Sequence, residues 1–302
     1  MAISSEADFL RALYKGWSDR MAANPALTIA ELRGLFEEWH QATREPEGVT
    51  YESGLLAGVE AIWALPVDAD ISKVILYTHG GGFVVGSVST HRKFAGHLAK
   101  HLGVTAVVID YRRAPECAFP AQIEDSTAAY RKLLARGFNA PNITIAGDSA
   151  GGNLAISTVL KLRDDGVALP GAVIAFSPWL DMEHIGRTLE TNAKTDALVN
   201  MSIVQGMSAM FLGPSGSRTN PLANPLKANY GIGFPRLYIT VGGAEALLDN
   251  ATDLADIAKA AGVNVTLSVV EDMQHVFTFL AGRAVEADDE LRRIATWFKA
   301  RT

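Results

Sequence analysis

From residue 49 onwards, short apolar runs alternate with stretches in which apolar residues recur every three or four positions. The first pattern is typical of buried strands, and the second of helices that cover a sheet. After a β-prone segment at 49–66, strands are predicted at 74–78, 104–110, 143–146, 172–176, 237–241 and 265–270. Helices are predicted at 90–102, 122–136, about 149–164 and about 249–261, and a last one ends with Leu291, Ile294 and Phe298. Strands that alternate with helices in this way predict an α/β fold with a mostly parallel sheet.

Two segments depart from this alternation. The first 45 residues carry two amphipathic helical patterns, and the second pattern begins at a capping box formed by Thr28 and Glu31. Between Asp181 and Gly233 no strand is predicted, only a helix-like piece near 201–211. An insertion of that length after a strand usually carries function or forms a lid. The N-terminal helices are expected to pack on the main domain, to share in such a lid, or both.

Composition and charge narrow the class of protein. The chain has 302 residues, 48% of them hydrophobic, and a formal net charge of −6, so attraction to nucleic-acid phosphates is not expected. Cys117 is the single cysteine; it excludes an internal disulfide, is interpreted as a small buried apolar residue rather than a nucleophile, and suits a reducing cytoplasm. Residues 1–8 lack the apolar core of a signal peptide, and no apolar run approaches the roughly 20 residues that span a bilayer. A cytoplasmic protein without a membrane span is therefore expected.

The strongest chemical signal is a G-x-S-x-G pattern at residues 147–151, with Ser149 at its centre. The pattern lies between the predicted strand 143–146 and the helix that follows it. A serine on such a strand-to-helix turn has a strained backbone and an exposed hydroxyl. The start of the helix also offers free N–H groups to a developing anion. Ser149 is therefore predicted to be a nucleophile rather than part of a plain glycine-rich turn.

Three consecutive glycines, Gly80, Gly81 and Gly82, follow the predicted strand 74–78. Their unshielded N–H groups could stabilise an oxyanion. A phosphate-binding P-loop is excluded because Ser87 stands where lysine is required, and a dinucleotide fingerprint is excluded because Val85 occupies its third glycine. The preceding residue, His79, is interpreted as positioning this loop rather than as a base.

A serine hydroxyl becomes a good nucleophile only when a base takes its proton. His275 follows the predicted strand 265–270, at the carboxyl end where active sites of parallel sheets lie. The other histidines besides His79 are interpreted as structural or surface residues, or open the insertion: His40, His91, His97, His101 and His184. The acid that orients the base should follow the preceding strand, 237–241, where both Glu245 and Asp249 are found.

Together these motifs resemble those of the hormone-sensitive-lipase-like bacterial esterases, within the α/β-hydrolase superfamily. They are His-Gly-Gly-Gly-Phe at 79–83, Tyr-Arg-Arg-Ala-Pro-Glu at 111–116, Gly-Asp-Ser-Ala-Gly-Gly at 147–152 and Ser-Pro-Trp-Leu-Asp at 177–181. The resemblance runs from about residue 48 to the C-terminus, and Tyr-Arg-Arg departs slightly from the usual Tyr-Arg-Leu. The family's D-x-L-x-D pattern reads Glu-Ala-Leu-Leu-Asp at 245–249. The resemblance thus implies Glu245 as the acid, and Asp249, ahead of a helical run, is interpreted as a helix N-cap.

The resemblance implies an α/β-hydrolase fold with an eight-stranded, mostly parallel sheet. Residues 1–45 and about 183–230 would form a helical cap on a catalytic domain at 46–302. Ser149 would attack an ester carbonyl with His275 as base and Glu245 as its orienting acid. The oxyanion hole would consist of N–H groups of Gly81, Gly82 and Ala150.

The expected activity is hydrolysis of short- to medium-chain carboxylic esters through an acyl-enzyme. No cofactor or metal is implied, and a homodimer is compatible with the resemblance. A lactone hydrolase with the same triad, an amide hydrolase and a non-catalytic small-molecule receptor on this fold are the alternatives. The receptor is disfavoured because such proteins lose the base, whereas His275 and Glu245 are both present.

Overall fold

The computed structural model describes residues 4–231 and 233–300. Its centre is one eight-stranded sheet with the order β1-β2-β4-β3-β5-β6-β7-β8. The strands are β1 (Val49–Leu56), β2 (Val59–Pro66), β3 (Asp70–Thr78), β4 (Val104–Ile109), β5 (Ile143–Asp148), β6 (Ala172–Phe176), β7 (Arg236–Gly242) and β8 (Val265–Val270). β1 and β2 form an antiparallel hairpin, β2 runs antiparallel to β4, and all other neighbours are parallel. The predicted α/β-hydrolase fold is confirmed.

Helices cover both faces of this sheet and also precede it in the chain. In the described residues they are α1 (Asp8–Ala23), α2 (Ile29–Phe36), α3 (Val88–Leu102), α4 (Ala121–Ala135), α5 (Ala150–Asp164), α6 (Thr188–Thr191), α7 (Met201–Leu212), α8 (Leu248–Ala260) and α9 (Val285–Lys299). The capping box predicted from Thr28 and Glu31 is present at the start of α2. A second one, between Ser87 and Thr90, starts α3 two residues earlier than the apolar period indicates. Capping groups, rather than the first apolar residue, thus set where these helices begin.

The hydrophobic core lies between the central strands and the helices. β4, β5 and β6 are buried along their whole length, as expected for parallel strands with both faces covered. β8, at the sheet edge, is only partly buried. Because β3, β5, β6, β7 and β8 run parallel, their carboxyl ends meet at one edge of the sheet. The loops that carry the predicted site residues all leave the sheet there.

The N-terminal helices pack through aromatic side chains. Trp17 of α1 contacts Phe36 of α2 at a ring distance of 4.8 Å and Trp39 at 5.6 Å. All three rings are at least 97% buried, and burial of each contributes about 1.5–3 kcal/mol. The apolar stripe seen in the sequence is therefore an interior surface. Residues 1–3 and 301–302, which belong to the predicted ranges 1–45 and 46–302, lie outside the described residues.

Candidate active site

Ser149 stands between the end of β5 and the start of α5. Its backbone has φ 51° and ψ −120°, a conformation that costs a non-glycine residue about 1–3 kcal/mol. Two hydrogen bonds hold it there: its N–H donates to Phe176 O at 2.8 Å, and its carbonyl accepts from Trp179 N at 3.0 Å. A Cβ on Gly151 would come within 2.0 Å of Thr78 O, so only glycine allows α5 this close to the sheet. The strained turn predicted from the G-x-S-x-G pattern is present.

The loop after β3 turns through Gly81 and Gly82, with φ of 108° and 60°. Within the described residues neither of their N–H groups has a hydrogen-bond partner, and both glycines line the same pocket as Ser149. Ala150 is the first residue of α5, so its N–H also lies outside the intrahelical ladder. These three donors are free to bind an anionic oxygen.

A buried carboxylate supports the glycine loop from below. Asp148, fully buried, accepts from Gly80 N at 3.1 Å and from the Tyr77 hydroxyl at 2.7 Å. His91 Nε2 lies 3.4 Å from the same carboxylate. Burial on its own raises the pKa of Asp148, but His91 and the Tyr77 hydroxyl hold it below its ordinary value. Asp148 thus remains an anion that fixes the first glycine of the loop, a role that its place in the motif did not indicate.

His275 lies in the loop after β8, next to Glu245 in the loop after β7. His275 Nδ1 is 2.8 Å from Glu245 Oε2, and both side chains are buried. The carboxylate also accepts hydrogen bonds from the Ser177 hydroxyl and the Gly242 N–H. The ring nitrogen Nε2 is thereby left for the pocket, which Ser149 and His275 line together. Among the described residues no hydrogen bond joins the Ser149 hydroxyl to His275, whose ring contacts the Glu245 carboxylate.

The neighbouring Glu245 carboxylate sets the proton affinity of His275. Burial alone lowers the pKa of an imidazole, but the Glu245 carboxylate more than offsets this, with smaller effects from Asp196 and Asp148. The pKa of His275 therefore lies above its ordinary value.

Two contacts that the sequence analysis missed hold the His275 loop. The Tyr14 hydroxyl, from α1, donates to His275 O at 2.9 Å, and Trp39 Nε1 donates to the same hydroxyl at 3.1 Å. Gln274 donates to Thr195 O and accepts from Ala197 N, both at 2.8 Å. Neither set of contacts could be predicted from the sequence, because the partners are far apart in the chain. Tyr14 lies 261 residues from His275, and Gln274 lies 79 and 77 residues from Thr195 and Ala197.

Asp249 is not a helix N-cap, and this prediction was wrong. α8 begins at Leu248, so Asp249 lies in its first turn. Its carboxylate accepts from Thr188 N at 2.9 Å and from Asn250 Nδ2 at 3.1 Å. Because α8 begins one residue before Asp249, the side chain lies past the capping position and bonds the insertion instead.

The other histidines and the cysteine have structural surroundings. His79 is fully buried and stacks on Tyr111 at 4.2 Å, as expected for a loop-positioning residue. His91 and His97 are buried rather than on the surface. His184 is buried in the insertion, and neither ring nitrogen has a partner among the described residues. Cys117 is only partly buried, so the prediction of a buried apolar residue was wrong, because its loop runs near the surface.

The pocket over Ser149 is small, with a cavity volume of about 40 Å³, well below the roughly 300–1,000 Å³ typical of small-molecule sites. Apolar side chains form most of its wall: Phe36, Trp39, Trp179, Leu198, Val199, Ile203, Val204, Met207 and Leu247. In the ranges 4–231 and 233–300, no group of three or more His, Cys, Asp or Glu side chains could hold a metal ion. In those same ranges no helix is long and apolar enough to cross a membrane. A serine hydroxyl, an imidazole paired with a carboxylate and three free N–H donors around an apolar pocket suit acyl transfer.

Comparison with known proteins gives matches along nearly the whole chain. The model of the α/β-hydrolase fold family matches residues 75–279. An acetyl-hydrolase from Streptomyces hygroscopicus is 36% identical over 242 residues, which cover 78% of this chain and 80% of that protein. An esterase from Acinetobacter venetianus is 32% identical over 244 residues, 80% of this chain and 78% of that protein.

The similarity extends to solved structures. The crystal structure of an esterase from the bacterial hormone-sensitive lipase family superposes with a TM-score of 0.93 at 39% identity, over 99% of each chain. A hormone-sensitive lipase from a metagenome library superposes with a TM-score of 0.91 at 36% identity, again over 99% of each chain. The helices before β1 and the insertion after β6 are therefore included in the structural match.

Proposed function

Since the chain belongs to the α/β-hydrolase family, among the bacterial hormone-sensitive-lipase-like esterases, and is a carboxylic ester hydrolase, we propose that Ser149, His275 and Glu245 carry out the hydrolysis. The observation that carries this proposal is the shared pocket of Ser149 and His275, whose Nδ1 is bound to the buried Glu245 carboxylate at 2.8 Å. A non-catalytic receptor is disfavoured, because receptors on this fold lack the base, whereas His275 is present here.

In the first half-reaction, His275 Nε2 takes the proton of the Ser149 hydroxyl as its oxygen attacks the ester carbonyl carbon. Glu245 holds the imidazole in the tautomer with Nε2 free and stabilises the imidazolium that forms. The carbonyl oxygen gains negative charge, which the N–H groups of Gly81, Gly82 and Ala150 stabilise. When the tetrahedral intermediate collapses, His275 gives its proton to the departing alcohol, and an acyl-Ser149 ester remains.

In the second half-reaction, His275 takes a proton from water, and the hydroxide so formed attacks the acyl carbon. Collapse of this second intermediate returns the proton to Ser149 and releases the carboxylic acid. The positive φ at Ser149 supports both steps, since it projects the hydroxyl from the turn towards the pocket.

The pocket supports a preference for short or medium acyl chains. We infer that the helices before β1 and the insertion at about 183–230 form a cap over Ser149, because Phe36 and Trp39 come from the first and Leu198 and Met207 from the second. A cavity of only about 40 Å³ with mainly apolar walls favours a short acyl chain. An acetyl-hydrolase among the relatives and a related esterase soaked with p-nitrophenyl butyrate agree with this size.

Replacement of the nucleophile tests the proposal. Ser149→Ala should lower kcat/KM for p-nitrophenyl butyrate by at least about a thousandfold. Among the described residues that line the pocket, Ser149 alone carries a hydroxyl that could form the acyl-enzyme. A serine-directed fluorophosphonate should add one phosphonyl group to the wild-type protein and none to the variant, as measured by mass spectrometry. Ser157→Ala is the matched control: Ser157 is a buried serine of α5 whose hydroxyl bonds only within that helix. A Ser149→Ala protein with a native circular dichroism spectrum and a tenth of the wild-type rate would refute the assignment.

A further inference from the structure

The loops that carry Glu245 and His275 are bound to one short segment of the insertion. Residues 192–199, called the strap below, lie between α6 and α7 and contact both loops. Asn192 Nδ2 donates to Glu245 O at 2.8 Å, and the Thr195 hydroxyl donates to Ala244 O at 2.9 Å. The acid loop is therefore held through its main chain on either side of the Glu245 side chain.

Asp196 is the centre of the strap. Its carboxylate, 92% buried, accepts from Ala246 N at 2.8 Å through Oδ2. Through Oδ1 it accepts from Leu198 N at 2.9 Å and Val199 N at 2.8 Å. Leu198 and Val199 line the pocket over Ser149. One buried anion thus joins the residue after Glu245 to the wall that a substrate would touch.

The base loop is fastened to the same segment. Gln274, the neighbour of His275, donates to Thr195 O and accepts from Ala197 N, both at 2.8 Å. These two contacts lie on either side of Asp196 in the strap. The acid and base loops, which follow different strands, are in this way held to one another through a third segment.

Such a connection matters because neither loop has regular structure around its functional residue. A buried carboxylate that accepts three N–H groups is well compensated, and loss of one acceptor would leave an N–H group unpaired in the interior. A displacement of about 1 Å at reacting groups costs about 100-fold in rate. The strap can therefore influence the geometry of the Glu245–His275 pair although it does not contact the reacting atoms of a substrate.

We propose that Asp196 is a positioning residue of the hydrolytic reaction, which fixes the Glu245 loop and the pocket wall relative to His275 through Ala246, Leu198 and Val199. This proposal rests on the assignment of Ser149, His275 and Glu245 made above. Three carboxylates raise the pKa of His275: Glu245, Asp196 and Asp148, in descending order. Asp196 thus acts on the base both through geometry and through its charge.

The test compares Asp196→Asn with a matched control, Asp181→Asn. Asp181 is a similarly buried aspartate whose carboxylate also accepts three N–H groups, from Glu183, Ile185 and Gly186. Those bonds stay within its own turn and touch neither loop. In Asp196→Asn the amide presents an N–H group to Ala246 N where an acceptor is needed, so the acid loop should shift. Values of kcat and KM for p-nitrophenyl butyrate, the pH dependence of kcat/KM and the melting temperature are measured for both.

Asp196→Asn should lower kcat by about 10- to 100-fold with KM changed by less than about threefold. The midpoint of its acid limb should move to lower pH, since one of the three negative charges near His275 is removed. Asp181→Asn should retain wild-type kcat and acid limb, whatever its melting temperature. A folded Asp196→Asn protein with kcat within about threefold of wild type overturns the proposal.

Asn192→Ala decides the matter if Asp196→Asn fails to fold. Asn192 is only half-buried, and its removal deletes the bond to Glu245 O without a change of charge. Its kcat should fall by about tenfold with an unmoved acid limb. The proposal for Asp196 requires that the strap restrain the Glu245 loop, so wild-type kcat in Asn192→Ala overturns it. If Ser149→Ala is inactive while the strap variants behave as wild type, only the role of the strap is refuted. If Ser149→Ala is active, the triad assignment itself has failed.

Discussion

At the scale of single residues, two carboxylates follow β7 within one turn of each other, but their surroundings differ. Glu245 is fully buried and bonds His275 Nδ1, the Ser177 hydroxyl and the Gly242 N–H. Asp249 bonds the main chain of the insertion at Thr188. Both carboxylates follow the same strand in the sequence; in the folded chain one contacts His275 and the other contacts the insertion.

Glu245→Gln should therefore lower kcat by about three to four orders of magnitude, because a neutral amide neither holds the required tautomer nor stabilises the imidazolium. Asp249→Asn should change kcat little and lower the melting temperature slightly, since it weakens the contacts with Thr188 and Asn250 and none with His275. Both variants are measured under identical conditions with p-nitrophenyl butyrate. A crippled Asp249→Asn enzyme beside a nearly normal Glu245→Gln enzyme would reverse the assignment.

The proton affinity of His275 predicts an acid limb in the pH profile. A protonated imidazole cannot accept the serine proton, so kcat/KM should fall as the pH decreases. Because the pKa of His275 is raised by its neighbouring carboxylates, the midpoint should lie above the ordinary value of about 6.5. The measurement is kcat/KM against pH for an uncharged ester, with circular dichroism at each pH as the control. Undiminished activity down to about pH 4.5 in a folded protein is incompatible with a histidine base.

At the scale of elements, α1, α2 and α7 contribute residues that lie outside the sheet yet shape the site. Phe36 and Trp39 form one side of the pocket, and Ile203, Val204 and Met207 of α7 form another. Tyr14 of α1 connects this layer to the main chain of His275. The amphipathic stripe of the N-terminal segment therefore belongs to the hydrophobic core, and two of its aromatic residues also line the pocket.

These elements predict the range of substrates. A p-nitrophenyl butyrate ester should be hydrolysed faster than the decanoate and the palmitate, because a cavity of about 40 Å³ with walls of bulky apolar side chains leaves a long acyl chain no room. Emulsified long-chain triglyceride should be a poorer substrate still. Values of kcat/KM across the acyl series, with the Ser149→Ala protein as the blank, provide the measurement. A triglyceride hydrolysed faster than the butyrate would contradict a covered pocket.

At the scale of the whole molecule, the parallel run of β3, β5, β7 and β8 brings the functional loops to one edge of the sheet. The glycine loop, Ser149, Glu245 and His275 each follow one of these strands. Because of this arrangement, the order of strands and motifs in the sequence is enough to predict where the candidate active site lies. A cytoplasmic location, a homodimer and the choice between open-chain esters and lactones stay predictions.

The sequence by itself determined the strand–helix alternation, the strained turn at Ser149, the glycine loop and the position of His275. These features are local: each follows from apolar periodicity or from the conformations that glycine and a strand-to-helix turn permit. Only the tertiary structure decided that Asp148 supports Gly80, that Tyr14 holds His275 and that Asp196 joins the acid loop to the pocket wall. The tertiary structure likewise showed that Asp249 bonds Thr188 in the insertion and is not the N-cap of α8. The physical reason is that a buried polar group needs partners, and which partners are in reach depends on segments far apart in the chain.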